Sequence, residues 1–382
     1  MSTVTPVVLE IDPADLEDEL RSGADVVVLD TRDRDSFAAW RVSGAAVLHN
    51  VPEDELAEDP EGLVARIPAD ARVRVICHAG IGSRRVAAAL AGRFAEVASV
   101  SGGMIGWSRV LQAAEVAVEG PFDVVQFRRE ARGCLSYLVI AGDEALVVDP
   151  APDITTYRDE AARRGAVITR IFDTHVHADH VSGARELAAA TGALLHLSRA
   201  ALRRGLRYGS EVASVVDGNR LSLGEESVRV IALPGHTSDM TGLLVGDAAL
   251  IGGDSLFVDS VARPDLEAGS EHAEDAAREL FATLAERIAA LPDRTLLLPC
   301  HYPGGRLTQP LVASLAEVRE RVGELGLGRE AFVARVLAQL PPVPTNHLAI
   351  IAVNLGEPMA ADDIARLEVG VNKCAAKQEW DT

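Results

Sequence analysis

The chain has 382 residues, 48% hydrophobic, 25% charged and 4% aromatic, with a formal net charge of −20. At about 150 residues per domain this length implies two to three domains, and the composition is that of a folded globular protein. The negative charge repels nucleic acid and anionic membranes, no run nears the ~18 to 20 apolar residues of a membrane span, and Met1 to Glu10 lacks the basic-then-apolar pattern of a secretory leader; a cytoplasmic protein with no nucleic-acid or membrane partner is expected.

Residues 1 to about 118 read as a small α/β unit. Asp25 to Leu29 is a buried strand ending at Asp30-Thr31-Arg32, and Arg72 to Ile76 is a second one ending at Cys77. Helix-forming stretches at Leu16 to Leu20, Phe37 to Trp40 and Arg84 to Arg93 alternate with them, which predicts a parallel sheet. The turn Gly120-Pro121 sets a boundary near residue 120 and a second unit over residues 123–382. In that unit a hairpin is expected across Gly142-Asp143-Glu144, joining Leu135–Ala141 to Ala145–Val148. Strands follow at Val167–Phe172, Leu194–Leu197, Val228–Leu233, Thr241–Val245, Ala249–Ile251 and Thr295–Leu298, with helices at Ala184–Ala190 and Glu271–Ala290. This mixture predicts an α+β sandwich with sheets inside and helices outside.

Thr174-His-Val-His-Ala-Asp-His180 lies directly after the strand Val167–Phe172, at its carboxyl end, where a loop presents side chains. His175 and His177 alternate as strand residues do and face one side, with Asp179 and His180 in the turn. His236, Asp254 and His301 stand at three further strand ends, in Leu233-Pro-Gly-His-Thr237, Ile251-Gly-Gly-Asp-Ser255 and Leu298-Pro-Cys-His-Tyr302. Independent loops rarely end so uniformly in imidazoles and carboxylates, and the set suits Zn, Fe or Mn with positions left for substrate. The four cysteines, Cys77, Cys134, Cys300 and Cys374, are too scattered for a disulfide scaffold or a C-x-x-C zinc site and read as reduced thiols.

In this order, Asp149, the His175 to His180 segment, His236, Asp254 and His301 resemble the five motifs of the metallo-β-lactamase superfamily over residues ~123 to 305. The resemblance implies an αββα sandwich and leaves two chemistries open. In hydrolases of the glyoxalase II type, the matching residues hold two zinc ions: His175, His177 and His236 around one, Asp179, His180 and His301 around the other, Asp254 bridging. In persulfide dioxygenases, one Fe(II) is held by the residues matching His175, His236 and Asp254, a facial triad with positions free for sulfur and O₂. Gly253-Asp-Ser-Leu-Phe-Val-Asp-Ser-Val-Ala-Arg-Pro-Asp-Leu266 resembles the dioxygenase segment G-D-x-L-F-x-x-x-x-G-R-P-D-L, with Ala262 in place of its glycine. Arg263 would either salt-bridge Asp265 or receive an anionic substrate. Leu367 to Ala375 also resembles the dioxygenase tail, where a cysteine, here Cys374, lies near the metal. Tyr302-Pro-Gly-Gly305 after His301 departs from the family pattern.

Cys77-His-Ala-Gly-Ile-Gly-Ser83 follows a strand and precedes a helix, whose N–H groups and positive end stabilise a thiolate. With Leu29-Asp-Thr-Arg32, Trp40-Arg-Val-Ser-Gly-Ala45 and Ser101-Gly-Gly-Met-Ile-Gly-Trp107, this unit resembles a rhodanese, whose cysteine carries sulfane sulfur. The usual loop C-x-x-G-x-R-S has Gly82 here at its arginine position, leaving Arg84 or Arg85 to compensate. The pairing of the two units implies an iron-dependent persulfide dioxygenase coupled to sulfur transfer. Its expected small-molecule partners are a thiol persulfide, thiosulfate or sulfite, and O₂, with a second copy of the chain as a further expected partner.

Overall fold

The computed structural model describes residues 8–45, 47–368, 370 and 373–375; of the tail expected near the metal, residues 369, 371 and 372 lie outside the described residues. The chain divides into two compact units, one built mainly from residues up to Val110 and the other mainly from Leu111 onward. The division falls ahead of the Gly120-Pro121 turn because Gln112–Val116 is itself a strand, paired antiparallel with Asp123–Arg129 in the sheet of the second unit.

The first unit is a five-stranded parallel sheet in the order Leu9–Ile11, Glu96–Val100, Arg72–Ile76, Val26–Asp30, Val47–Asn50. Val26–Asp30 is buried at every position, as a strand covered on both faces must be. Helices Pro13–Arg21, Arg34–Ala39 and Ile81–Ala89 match the three expected ones. The first opens on a capping box, Asp12 accepting from Ala14 N and Asp15 reaching back to Asp12 N. Cys77 sits at the carboxyl end of Arg72–Ile76, the central strand.

The second unit stacks two sheets. The first has seven strands, in the order Val212–Val215, Leu194–Ser198, Val167–Phe172, Glu144–Val148, Cys134–Ala141, Asp123–Arg129, Gln112–Val116. The second has six, in the order Arg220–Leu223, Glu226–Ala232, Thr241–Val245, Ala249–Ile251, Leu296–Leu298, Ala313–Ser314. Tyr137, Val148 and Phe172 from one sheet meet Val230, Leu243 and Ile251 from the other in a shared core. A second cluster places Tyr157, Ala161 and Leu187 of helices Thr155–Arg163 and Ala184–Thr191 on the outer face of the seven-stranded sheet. A third places Ala277, Leu280, Val318 and Val336 on the other sheet. The layers therefore run helix, sheet, sheet, helix, the αββα sandwich expected. The helix expected over Glu271–Ala290 is Ala273–Ala282 followed by a π-helical stretch, Thr283–Ile288, at whose start Thr283 Oγ1 donates to Pro234 O at 2.6 Å.

Candidate functional site

Four strand ends of the sandwich converge. His175, His177, Asp179 and His180 lie on the loop after Val167–Phe172, His236 follows Glu226–Ala232, Asp254 follows Ala249–Ile251, and His301 follows Leu296–Leu298; all seven are buried. Two glycines shape this backbone. A Cβ on Gly235 (φ 137°) would stand 2.4 Å from Leu280 Cα, so a side chain before His236 would clash with backbone, and Gly253 before Asp254 takes a left-handed φ of 55° that side chains disfavour.

His175, His236 and Asp254 bring their donor atoms together: Asp254 Oδ2 is 3.8 Å from His175 Nε2 and 3.5 Å from His236 Nε2. These spacings match the ligand-to-ligand edges of about 3 to 4 Å expected when each bond to a divalent metal is about 2.0 to 2.2 Å. The far nitrogens are fixed. His236 Nδ1 lies 2.7 Å from the Arg263 carbonyl, so it carries the proton and leaves the Nε2 lone pair facing Asp254. Thr174 Oγ1 donates to Asp149 Oδ2 at 2.9 Å and accepts from His175 Nδ1 at 2.9 Å, with the same result. Both Nε2 atoms are buried and lack a hydrogen-bond partner, which is costly unless a cation takes the lone pair. Burial, the neighbouring imidazoles adding to it, holds His175 well below the usual histidine range, in the neutral form a ligand needs. The donor set thus fits a resident divalent metal.

The other four expected ligands are divided differently. His177, which in the hydrolase reading would share a metal with His175 and His236, has its Nε2 3.1 Å from Asp149 Oδ1 and its Nδ1 buried without a hydrogen-bond partner. Burial alone would lower its pKa, but that carboxylate carries it up to about 9. Asp149 takes an uncommon left-handed φ of 51° and gathers Thr174 N at 2.7 Å and Cys300 Sγ at 3.1 Å as well. Asp179 lies 3.3 Å from His301 Nε2 and 3.2 Å from His180 Nδ1, and His301 Nε2 is 3.1 Å from Asp254 Oδ1. The Cys374 thiol joins Asp179, Asp254 and His301 in one group, and Cys134 joins Asp179 and His180 in another. Burial, reinforced by the Asp179 and Asp254 charges, pushes the Cys374 thiol well above its usual range and keeps it protonated. Cys300 is held up in the same way, by burial and then Asp149.

Arg263 is fully buried, and all five of its guanidinium N–H groups are engaged. Nε and NH2 grip Asp265 at 2.8 and 2.9 Å, NH2 also donates to Pro341 O, and NH1 donates to Pro342 O and Lys373 O. Of the two roles expected, this arrangement is the ion pair; no donor remains for an anionic substrate. Arg263 and Asp265 are positioning residues, since the Arg263 carbonyl orients His236 and its N–H donates to Cys374 O at 3.0 Å.

Three positioning residues escaped the sequence reading. Asn354 accepts from Ser182 N at 2.9 Å and donates to His177 O at 2.9 Å and His180 O at 2.8 Å. Glu368 accepts from Val181 N, and Asp239 accepts from Val176 N, each at 2.9 Å. Asp239, near His236 on the same loop, was the one within reach of sequence reasoning. Asn354 and Glu368 lie far along the chain in segments without metal-ligand spacing.

In the first unit, Gly80 N donates to Cys77 Sγ at 3.1 Å, and the thiol donates to Ser83 Oγ at 3.4 Å. The helix Ile81–Ala89 begins there, with Gly80 as its left-handed N-cap. The two arginines expected to compensate for Gly82 are each paired with a carboxylate, Arg84 with Glu10 at 3.0 Å and Arg85 with Glu53 at 2.9 Å.

Residues 129–301 match the metallo-beta-lactamase superfamily and residues 12–110 the rhodanese-like domain. A probable metallo-hydrolase of Burkholderia pseudomallei is 30% identical over 284 residues, covering 63% of this chain and 92% of that protein. The chain belongs to the metallo-beta-lactamase superfamily. A hydroxyacylglutathione hydrolase of Acidiphilium cryptum is 33% identical over 166 residues, 44% of this chain, which spans 63% of that protein's length. Among solved structures, ETHE1 from Myxococcus xanthus is 28% identical with a TM-score of 0.52, covering 60% of this chain and 96% of that one. The metallo-beta-lactamase unit thus carries the His175, His236 and Asp254 cluster, and the rhodanese-like domain carries Cys77. No helix among the described residues is long and apolar enough to cross a membrane.

Proposed function

We propose that this protein is an iron-dependent persulfide dioxygenase that turns a low-molecular-weight thiol persulfide, O₂ and water into the thiol and sulfite. The rhodanese-like domain moves sulfane sulfur on Cys77, drawing on a pool of thiol persulfide, thiosulfate or sulfite. The observation that carries this reading is the grouping of His175, His236 and Asp254 around one point, with His177 outside that group and held through its Nε2 by Asp149. Two histidines and one carboxylate suit a single ferrous ion, which when bound supplies adjacent positions for a sulfur ligand and O₂. The chain's own part is to hold those ligands in their tautomers through Thr174 and Arg263, and to enclose the centre so that bulk water is excluded. Iron-loaded protein purified without O₂ should consume O₂ when given glutathione persulfide and release sulfite. Failure to do so with any thiol persulfide would sink the proposal.

A second reading, a dinuclear zinc thioester hydrolase of the glyoxalase II type, is favoured by relatives named hydroxyacylglutathione hydrolase and by the approach of Asp179 and His301 to Asp254. Metal analysis separates the two. One iron per chain, with a paramagnetic resonance signal after nitric oxide addition, supports the first; two zinc ions with hydrolysis of S-lactoylglutathione support the second.

A further inference from the structure

We infer that Cys77 takes its sulfur from thiol persulfides of low charge and discriminates against divalent oxyanion donors such as thiosulfate, with Glu53 as the residue that sets the choice. The inference rests on the sulfur-transfer reading of Cys77. Its ground is the surface beside the thiol. Gly82 offers no side chain, and a Cβ there would stand 3.8 Å from Cys77 Cβ and 2.7 Å from Glu53 Oε2. The Glu53 carboxylate therefore lies beside Gly82 of the Cys77 loop. Both cations at the start of the following helix are engaged. Arg85 gives two hydrogen bonds to Glu53, at 2.9 and 3.2 Å, and Arg84 pairs with Glu10.

Glu53 is also part of an open recess of about 530 Å³ lined by Thr31, Asp33, Pro52, Glu53, Asp54 and Ala57. Its lining carries three carboxylates, of which Glu53 is paired with Arg85, and no cation of its own. Asp33 is held below the usual carboxylate range by the Ser36 N–H and hydroxyl that it accepts, so it stays charged at neutral pH. At the loop's crest, Ile81 is 70% exposed and offers apolar contact. A doubly charged donor would approach this lip against like charge, while a neutral or singly charged persulfide meets the apolar crest and the Gly80 N–H that faces Cys77 Sγ.

The transfer balances without an added oxidant. The Cys77 thiolate attacks the outer sulfur of R–S–SH, the R–S to S bond breaks, and the electron pair leaves with RS⁻. The Cys77 S–S bond forms and keeps the outer sulfur's proton, giving Cys77–S–SH.

The test uses the full chain without O₂, so that the metal unit leaves the donors intact. Cysteamine persulfide, whose ammonium offsets its perthiolate, or thiosulfate is offered at matched concentration, and sulfur on the Cys77 peptide is followed by mass spectrometry. Wild type should load about tenfold or more faster from the persulfide. Glu53→Gln, which releases Arg85, should raise the ratio of thiosulfate to persulfide loading by about tenfold, chiefly through the KM for thiosulfate. Glu53→Gln with Arg85→Gln should bring that ratio back toward wild type. Equal loading of wild type by both donors, or a ratio unmoved by Glu53→Gln, overturns the inference and leaves the sulfur-carrier role standing. If neither donor loads Cys77, that role falls and the inference falls with it.

Discussion

A histidine becomes a metal ligand through what grips its other nitrogen. For His175 the grip is the Thr174 hydroxyl, whose own proton goes to Asp149. Thr174→Val keeps the volume but removes both bonds, so metal affinity should fall by about 10 to 100-fold, read by competition with a chelator; unchanged affinity would show that the chain Asp149–Thr174–His175 has no part in ligand orientation. Arg263 is a different case, because its guanidinium and the Asp265 carboxylate are buried together. Removing one partner strands the other, and Arg263→Ala should cost about 3 to 5 kcal/mol in urea denaturation. Arg263→Met with Asp265→Leu should cost clearly less than the single change, since no charge is left alone. A double variant as unstable as the single one would mean that the carbonyls of Pro341, Pro342 and Lys373, rather than the ion pair, dominate at this site.

The ligand loop is held from outside by the helix His347–Asn354, whose last residue engages three backbone groups of the loop. Asn354→Ala leaves Ser182 N–H and the carbonyls of His177 and His180 without that partner, at a cost of about 1 to 3 kcal/mol per buried group. The released metal should show as faster loss to a chelator, with the secondary structure unchanged by circular dichroism. Elements with one strong local signal were legible in the sequence. Val167–Phe172, Thr241–Val245 and Ala249–Ile251 were bounded correctly because each ends in apolar residues closed by Asp173, Gly246 or Gly252. Gln112–Val116 was not, since its QAAEV alternation is weak and it is a strand only through its pairing with Asp123–Arg129. The same limit applies at the site. Strand-end position revealed all seven metal-compatible side chains, yet His177 and His175, two residues apart, are assigned different partners by Asp149, which long-range packing alone brings there. Asn354 and Glu368 were invisible for that reason too.

At the scale of the whole molecule, each unit owns its core. Leu16, Val28, Ile76 and Trp107 belong to clusters of the first unit, and Phe172, Leu243, Leu280 and Phe332 to clusters of the second. A metal that binds one native unit stabilises that unit by mass action, by about 2.7 kcal/mol when the free metal stands at 100 times its dissociation constant. Chains with more than one such unit need not unfold in a single step. Calorimetry should therefore resolve two transitions, and only the one belonging to the metallo-beta-lactamase unit should rise on metal loading. For a unit of this size about 2 to 4 °C accompanies each kcal/mol, so the expected rise is roughly 5 to 10 °C. Cys77→Ser should leave that metal-dependent shift in place, whereas Asp254→Ala should remove it and leave the other transition where it was. A single transition in which Cys77→Ser and Asp254→Ala act on the same peak would contradict this, and would mean that the two cores unfold together although the chain divides into two compact units.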